Sequence, residues 1–398
     1  MNIIDLIIIL IGGVVIYRWY KAGLVRNLFA VGGLFVGIVI GLFVAPSVMS
    51  LFKDSVGKFA GAILTIALTT LAFGTLGEAM GMKLNIRLQS KNAQKINSVA
   101  GSFGGVIFLL LFVWLASAII ITSPFKTFNT QLENSAIIQF LNRRLPPTPP
   151  IIDRVNALVK PLDFPQVFSG VPQKLSEPVA PAGSVAVQEA VQNAGKSTVK
   201  IESRGCGNAI SNGSGFIVGD GLVMTNAHVV AGATEISVID TTGTYISVPV
   251  YFDPTVDIAI LKTPKLSAKS LNISTKQFSR GQEAVVLGFP GGGNFRAEPA
   301  GITNTIFARG LDIYGQTQVN RDVYEFIGNV VQGNSGGPLV LSDGTVIGMV
   351  FASSQNNQGY GYALTGEEIS RALKLINQSG VSTQDCYQQS SSFMLKLA

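Results

Sequence analysis

Four apolar runs, Ile3 to Tyr17, Leu24 to Val44, Val56 to Met82 and Ile96 to Ile121, fill the start of a 398-residue chain. A helix that crosses a bilayer needs about 20 predominantly apolar residues. The last three runs meet that length, and Trp19 and Tyr20 extend the first with aromatic side chains suited to the membrane interface. In lipid every backbone N–H and C=O must be paired within the protein, and a helix does this within each segment. The basic residues Arg18, Lys21 and Arg26 follow the first run, and no small-residue cleavage site is evident, so it reads as a retained helix rather than a signal peptide. The expectation is an all-α transmembrane domain of four helices over residues 1–121.

Composition agrees. Charged residues make up 13% of the chain against about 25% in an ordinary soluble protein, and the mean hydropathy is +0.41. The formal net charge of +6 belongs entirely to residues 1–121, which hold nine Lys/Arg and three Asp/Glu. These basic residues sit between apolar runs, where topology signals sit, so no nucleic-acid partner is implied. The first and third connecting loops carry Arg18, Lys21, Arg26, Lys83, Arg87, Lys91 and Lys95, against Lys53 and Lys58 in the second. The positive-inside rule then places both termini, and everything after Ile121, outside the cytoplasm, in the periplasm of a multi-pass inner-membrane protein. Pairs at helix-packing spacing, Gly33/Gly37/Gly41, Gly57/Gly61, Gly77/Gly81 and Gly101/Gly105, fit either packing within the bundle or association of copies through one face. Glu78, within a run and near Lys83, is expected to snorkel to the cytoplasmic end.

Residues 122–183 form a Pro-rich extracytoplasmic linker with two short amphipathic candidates, 134–141 and 151–159. From Ser184, after a helix to Asn193, short β-rich runs follow at Thr198–Ile201, Gly215–Val218, Leu222–Thr225, Ile236–Ile239, Val248–Tyr251, Ile258–Leu261, Ala284–Leu287 and Val346–Phe351. Short strands broken by turn residues point to an all-β sandwich or barrel over residues 184–398.

The chain has one histidine and two cysteines, too few for a Cys/His zinc cage, and neither metal nor organic cofactor is implied. His228 stands in Thr225-Asn226-Ala227-His228-Val229-Val230, Asp257 in Asp257-Ile258-Ala259-Ile260-Leu261, and Ser335 in Gly333-Asn334-Ser335-Gly336-Gly337-Pro338-Leu339. A serine hydroxyl is a weak nucleophile near neutral pH; it needs an adjacent base, and that base needs a partner that orients it and supports its protonated form. His228, Asp257 and Ser335 supply the three roles. Glycines beside Ser335 allow a tight turn that aims the N–H groups of the Gly333, Asn334, Ser335 loop, those of Gly333 and Ser335 above all, at a developing oxyanion.

These three motifs, in the order His, Asp, Ser, resemble the chymotrypsin-fold serine proteases, specifically the bacterial HtrA-like branch, from about Ser184 to Glu368. The resemblance implies a double β-barrel that hydrolyses peptide bonds. It also implies a specificity pocket lined by Asn329, six residues before Ser335, and by Val350, Phe351 and Ala352, with Tyr360 opposite; Asn329 is neutral where trypsin-like pockets carry a carboxylate. Only about 30 residues follow Glu368, too few for the PDZ domain usual in that branch. With four preceding spans, the whole chain resembles the membrane-anchored periplasmic serine proteases of the MarP family, in which a colicin-V-production-like membrane domain precedes the protease. That likeness implies a role in acid and oxidative stress through cleavage of envelope or cell-wall-associated proteins. A second reading makes the membrane bundle a transport or secretion factor and the protease its regulatory appendage. Cys206 and Cys386 both fall in the extracytoplasmic part, an oxidising setting in which a pair is expected to form a disulfide, as a staple or as a redox switch.

Overall fold

The computed structural model describes residues 2–49, 51, 55–86, 90–120, 126–145, 175–206, 209–354, 359–376 and 379–386. The amphipathic candidate at 151–159 lies outside them. The chain divides into two compact units, residues 1–116 with 135–137, and residues 117–134 with 138–398.

The first unit is built on α1 (Ile3–Ala22), α2 (Leu24–Met49), α3 (Ser55–Ile86) and α4 (Lys91–Ile120), and each contains a stretch long and apolar enough to cross a membrane. Large apolar side chains such as Leu10, Phe35 and Phe103 face outward, as they do in a bundle solvated by lipid. The glycines expected at helix contacts are there: a Cβ on Gly33 would run into the carbonyl of Phe73, and one on Gly77 into that of Phe29. Likewise Gly101 and Gly105 of α4 lie against the backbone and ring of Trp19. The small-residue faces are therefore used within the bundle. Asn2 caps α1, and the buried Asp5 carboxylate accepts from Asn2 N (2.9 Å), Ser135 Oγ (2.6 Å) and Ile137 N (3.1 Å). One carboxylate thus serves the N-termini of α1 and of α6 (Ala136–Arg144). Glu78 has a definite partner, Arg26, with Nη2 to Oε1 at 2.6 Å; the expected neighbour Lys83 does not hold it.

In the second unit α5 (Lys126–Glu133) and, further on, α7 (Ser184–Ala194) precede two closed six-stranded antiparallel barrels. The first comprises β1 (Thr198–Gly205), β2 (Ala209–Gly219), β3 (Leu222–Thr225), β4 (Ala233–Ile239), β5 (Thr244–Asp253) and β6 (Ile258–Lys262), in the order β1-β2-β3-β6-β5-β4. The second comprises β7 (Glu283–Gly288), β8 (Arg296–Leu311), β9 (Gln318–Ile327), β10 (Pro338–Val340), β11 (Val346–Ser353) and β12 (Tyr360–Thr365), in the order β10-β11-β12-β9-β8-β7. One-turn helix α8 (Ala227–Val230) follows β3, and α9 (Gly366–Leu373) follows β12, capped by the Thr365 hydroxyl. Val199 and Ile201 of β1 and Ala259 and Leu261 of β6 fill the first barrel, while Ile258 and Ile260 on the other face of β6 join the core that contains the second barrel's strands. Closure leaves no free sheet edge, which lets one end of each barrel carry loops without exposing a strand. The segment before α7 is pinned to the second barrel by Ala182 N donating to Ala300 O (3.0 Å).

A candidate active site between two barrels

The one-turn helix α8 presents His228. Asn226 caps it in extended conformation, and its side chain donates to the carbonyl of Asp257 (2.9 Å). Asp257 opens β6 from a turn in which its own N–H bonds to Asp253 O (3.1 Å) and the Asp253 carboxylate accepts from Thr255 N (2.8 Å). The turn leaves Asp257 at φ 66°, a left-handed conformation that aspartate tolerates better than most residues. Fully buried, its carboxylate accepts from His228 N (2.9 Å) and meets His228 Nδ1 at 2.7 Å. That pair fixes the ring: with Nδ1 carrying its proton toward the carboxylate, Nε2 is the nitrogen left to act as base.

Ser335 comes from the second barrel, in the loop before β10, yet the first barrel grips it. Ser214 N donates to Ser335 O (2.8 Å), Ser214 Oγ donates to Gly333 O (2.7 Å), and Thr225 Oγ1 donates to Ser214 O (2.7 Å). Gly213 bridges the two parts, because a Cβ there would meet the Val229 side chain of α8 and lie 3.2 Å from Ser335 O. The Ser335 hydroxyl itself is nearly buried and makes no hydrogen bond to the described residues. Hydrogen bonds to a catalytic nucleophile are commonly loose in a free enzyme and tighten when substrate arrives.

The loop ahead of Ser335 is a turn from Val331 to Asn334, closed by Asn334 N donating to Val331 O (3.1 Å), with Gly333 at φ 95°. Positive φ at the third residue is the requirement of a type II turn. Gly291 N, from the turn after β7, holds the carbonyl of Gln332 (2.7 Å). In a trans peptide the N–H points opposite to the carbonyl, so the Gly333 N–H is turned away from Gly291. Neither that N–H nor the Ser335 N–H donates to another described residue. Asn334, expected in the same loop, differs: its N–H is already bonded to Val331 O, so it has none to offer an oxyanion, and its buried Nδ2 has no partner.

Of the five residues expected to line a specificity pocket, Val350, Phe351 and Ala352 of β11 and Tyr360 of β12 lie on paired strands, and Asn329 follows β9, the other neighbour of β12. Asn329 lines a cavity of about 370 Å³ together with Val331, Asn334, Pro290, Gly291 and the side chains of Arg296 and Glu298. Val350, Phe351 and Ala352 are fully buried instead, with Val350 bonded to the nucleophile loop through Gly336 N and Gly337 O. The Tyr360 hydroxyl donates to Ser176 O (2.9 Å), and burial raises its pKa above the ordinary phenol value. Cys206 and Cys386 are joined by a disulfide with Cα atoms 5.6 Å apart. The clasp from Ser214 and the restraint from Gly291 were not expected from the sequence.

Two protein-family profiles match the chain: colicin V production protein over residues 4–146, and trypsin-like peptidase domain over residues 213–349. Serine protease Rv3671c of Mycobacterium tuberculosis is 30% identical over 379 residues, covering 94% of this chain and 95% of the relative. The crystal structure of the Rv3671c protease in its active form is 37% identical, with a TM-score of 0.53, covering 56% of this chain and 98% of that one. The mitochondrial serine protease HTRA2 of Bos taurus is 37% identical over 147 residues, 35% of this chain and 31% of its own length.

Proposed function

The chain belongs to the MarP family of membrane-anchored serine proteases, in which a colicin V production domain precedes a trypsin-like peptidase domain, and from that premise we propose that His228, Asp257 and Ser335 are the residues that carry its endopeptidase activity. The observation that carries this reading is the buried His228–Asp257 pair, 2.7 Å between Nδ1 and Oδ2, set beside a nucleophile loop whose Gly333 and Ser335 N–H groups are unspent.

In this mechanism Nε2 of His228 removes the Ser335 hydroxyl proton as Oγ attacks the scissile carbonyl carbon. The resulting oxyanion takes hydrogen bonds from Gly333 N and Ser335 N. Its collapse breaks the C–N bond, the leaving amine takes the proton from His228, and an acyl-enzyme remains on Ser335. A water then repeats the sequence with His228 as base, releasing the acid. Asp257 keeps the imidazole in the required tautomer and supports its positive charge.

The loop charges support a topology with both termini and residues 122–398 on the periplasmic side of the inner membrane, the last 215 residues forming the protease domain after the linker. The disulfide supports the same side, because such bonds persist in oxidising compartments. Envelope proteins are then the substrates within reach, and the family's part in acid and oxidative stress extends to this chain on that basis. The faces of Gly33/Gly37/Gly41, Gly77/Gly81 and Gly101/Gly105 are taken up within the bundle, so homo-oligomerisation through the transmembrane helices would use another face.

Labelling of the full-length protein in spheroplasts with a membrane-impermeant fluorophosphonate tests both parts. We expect labelling of intact spheroplasts that Ser335→Ala abolishes. Labelling that survives Ser335→Ala removes the assigned nucleophile, and labelling seen only after lysis reverses the topology.

A further inference from the structure

Behind the Asp257 turn lies a charged side chain that the reaction as written does not use. Arg321 of β9 is 1% exposed, fully inside the second barrel's wall. Its Nη2 donates to the carbonyl of Thr255 and to that of Leu311 (2.9 Å), its guanidinium carbon lies 5.9 Å from the centre of the Phe351 ring, and its Nε has no partner. A buried cation with so few hydrogen bonds is costly to keep unless it meets opposite charge.

We propose that Arg321 is a positioning residue for peptide hydrolysis: by bonding Thr255 O it locks the Asp253–Asp257 turn of the first barrel to the second barrel, and so holds the His228–Asp257 pair in line with Ser335. The inference rests on the catalytic reading above. His228 and Asp257 come from one barrel and Ser335 from the other, so their alignment depends on what crosses between the barrels. Ser214 makes that crossing at the nucleophile. At the acid, Ile313 N donates to Pro254 O (3.1 Å) and Arg321 bonds the next carbonyl, Thr255 O. Two consecutive carbonyls of the turn are thus held by the β8–β9 hairpin. The turn needs holding, because Asp257 sits at a positive φ that is paid for elsewhere in the fold.

Charge supports the geometry. The groups that face Arg321 are Asp257 from the turn, Asp312 from the β8–β9 turn, Asp253 from the end of β5 and Glu368 from α9, and Asp257 attracts it most strongly. Burial works against the charged guanidinium and lowers its pKa, while these carboxylates work to keep the charge. The Asp257 carboxylate, buried and held by two contacts from His228, gains a countercharge from Arg321. A fixed positive charge beside the pair also opposes formation of imidazolium at rest. Its removal therefore moves the acid limb of activity to higher pH.

The test is the second-order rate of fluorophosphonate labelling of the full-length protein in detergent, measured against pH, for Arg321→Met and Arg321→Lys. We expect Arg321→Met to slow labelling about 10²-fold, the loss typical of a catalytic group displaced by about 1 Å, and to shift the acid midpoint upward. Arg321→Lys, which keeps the charge, returns the midpoint toward the parent value while recovering only part of the rate, because an ammonium does not reproduce the fork of a guanidinium. A slowed rate with an unmoved midpoint, or an unchanged rate, overturns the proposal. If Arg321→Met does not fold, judged by loss of a cooperative melt, the imidazole ¹⁵N signals of Arg321→Lys decide. The chain has a single histidine, so these signals are unambiguous; spectra and rate both equal to the parent's overturn the proposal, and a shifted signal with a slowed rate supports it. Loss of labelling in Ser335→Ala beside a normal Arg321→Met leaves the catalytic reading standing and removes only the role of Arg321.

Discussion

The oxyanion turn depends on the absence of a single atom. At φ 95°, a Cβ on Gly333 would be strained by the backbone itself, and it would also sit 2.6 Å from Gly291 N, the donor that holds Gln332 O. Gly333→Ala therefore has two outcomes open to it. Holding the turn costs about 1–3 kcal/mol of local strain, and rotating the Gln332–Gly333 peptide relieves that strain but swings the Gly333 N–H out of place. The second course is the cheaper, so kcat is expected to fall about 10²–10³-fold with little change in KM, the loss associated with one oxyanion donor. Steady-state kinetics on any cleaved peptide checks it, and an unchanged kcat would show that the Gly333 N–H does not bind the oxyanion. The glycine, like His228, Asp257 and Ser335, is picked out in the sequence because the role proposed for it is tied to a local motif. Arg321 is not legible. It sits in Gln318–Ile327 among Asn320, Asp322 and Glu325, where a reader sees an ordinary charged strand, and its partner Thr255 is 66 residues earlier. Asn334 misleads in the opposite way: it stands inside the motif, but its N–H is used to close the turn.

Elements follow the same rule of locality. The eight strands expected from β-branched runs all appear, because residues such as Ile258–Leu261 and Val346–Phe351 are buried and apolar along their whole length. The strands that escape notice are β8, β9, β10 and β12. β8 carries Arg296, Glu298, Pro299, Asn304 and Arg309 and exposes several positions, so its identity comes from pairing with β7 and β9 rather than from its own pattern. Residues 379–386 are a further case, since they form neither helix nor strand and are held by long-range contacts. Gly232 N donates to Thr383 O (3.1 Å), Val381 N to Pro249 O (2.8 Å) and the Tyr314 hydroxyl to Asp385 O (3.1 Å), and the disulfide to Cys206 completes the attachment. Burial first, then the Asp385 carboxylate, pushes the Tyr314 phenol up to about 12, so it stays a donor throughout the physiological range. Closing a loop of 180 residues stabilises by at most about 5 kcal/mol on chain-entropy grounds. Replacing both cysteines by serine should lower unfolding stability by about 2–5 kcal/mol and expose the tail to carboxypeptidase. Denaturant unfolding of the pair beside the parent measures the first and timed digestion the second; a tail digested no faster than the parent's would show that the three hydrogen bonds suffice without the bond.

For the whole molecule, the consequence of having one histidine is a single proton on which the chemistry turns. A protonated imidazole cannot accept the Ser335 proton. The chain has no second histidine to take the proton in its place. The pH profile of kcat/KM is accordingly expected to show an acid limb, with activity declining as the imidazole takes up its second proton. That decline sits awkwardly with service in acid stress, and the anchoring of the protease sharpens the point, because a domain tethered by four spans stays in whatever compartment its topology assigns. Two resolutions are physically distinct. In the first, the enzyme works where the envelope holds near neutrality, and the acid limb measured in membranes matches that in detergent. In the second, acid changes the barrel contacts that align His228 with Ser335, and activity rises on acidification despite protonation of the base. Profiles recorded on the same preparation in membranes and in detergent separate them, and a rate that stays flat to about pH 5 in both would remove His228 as the sole base.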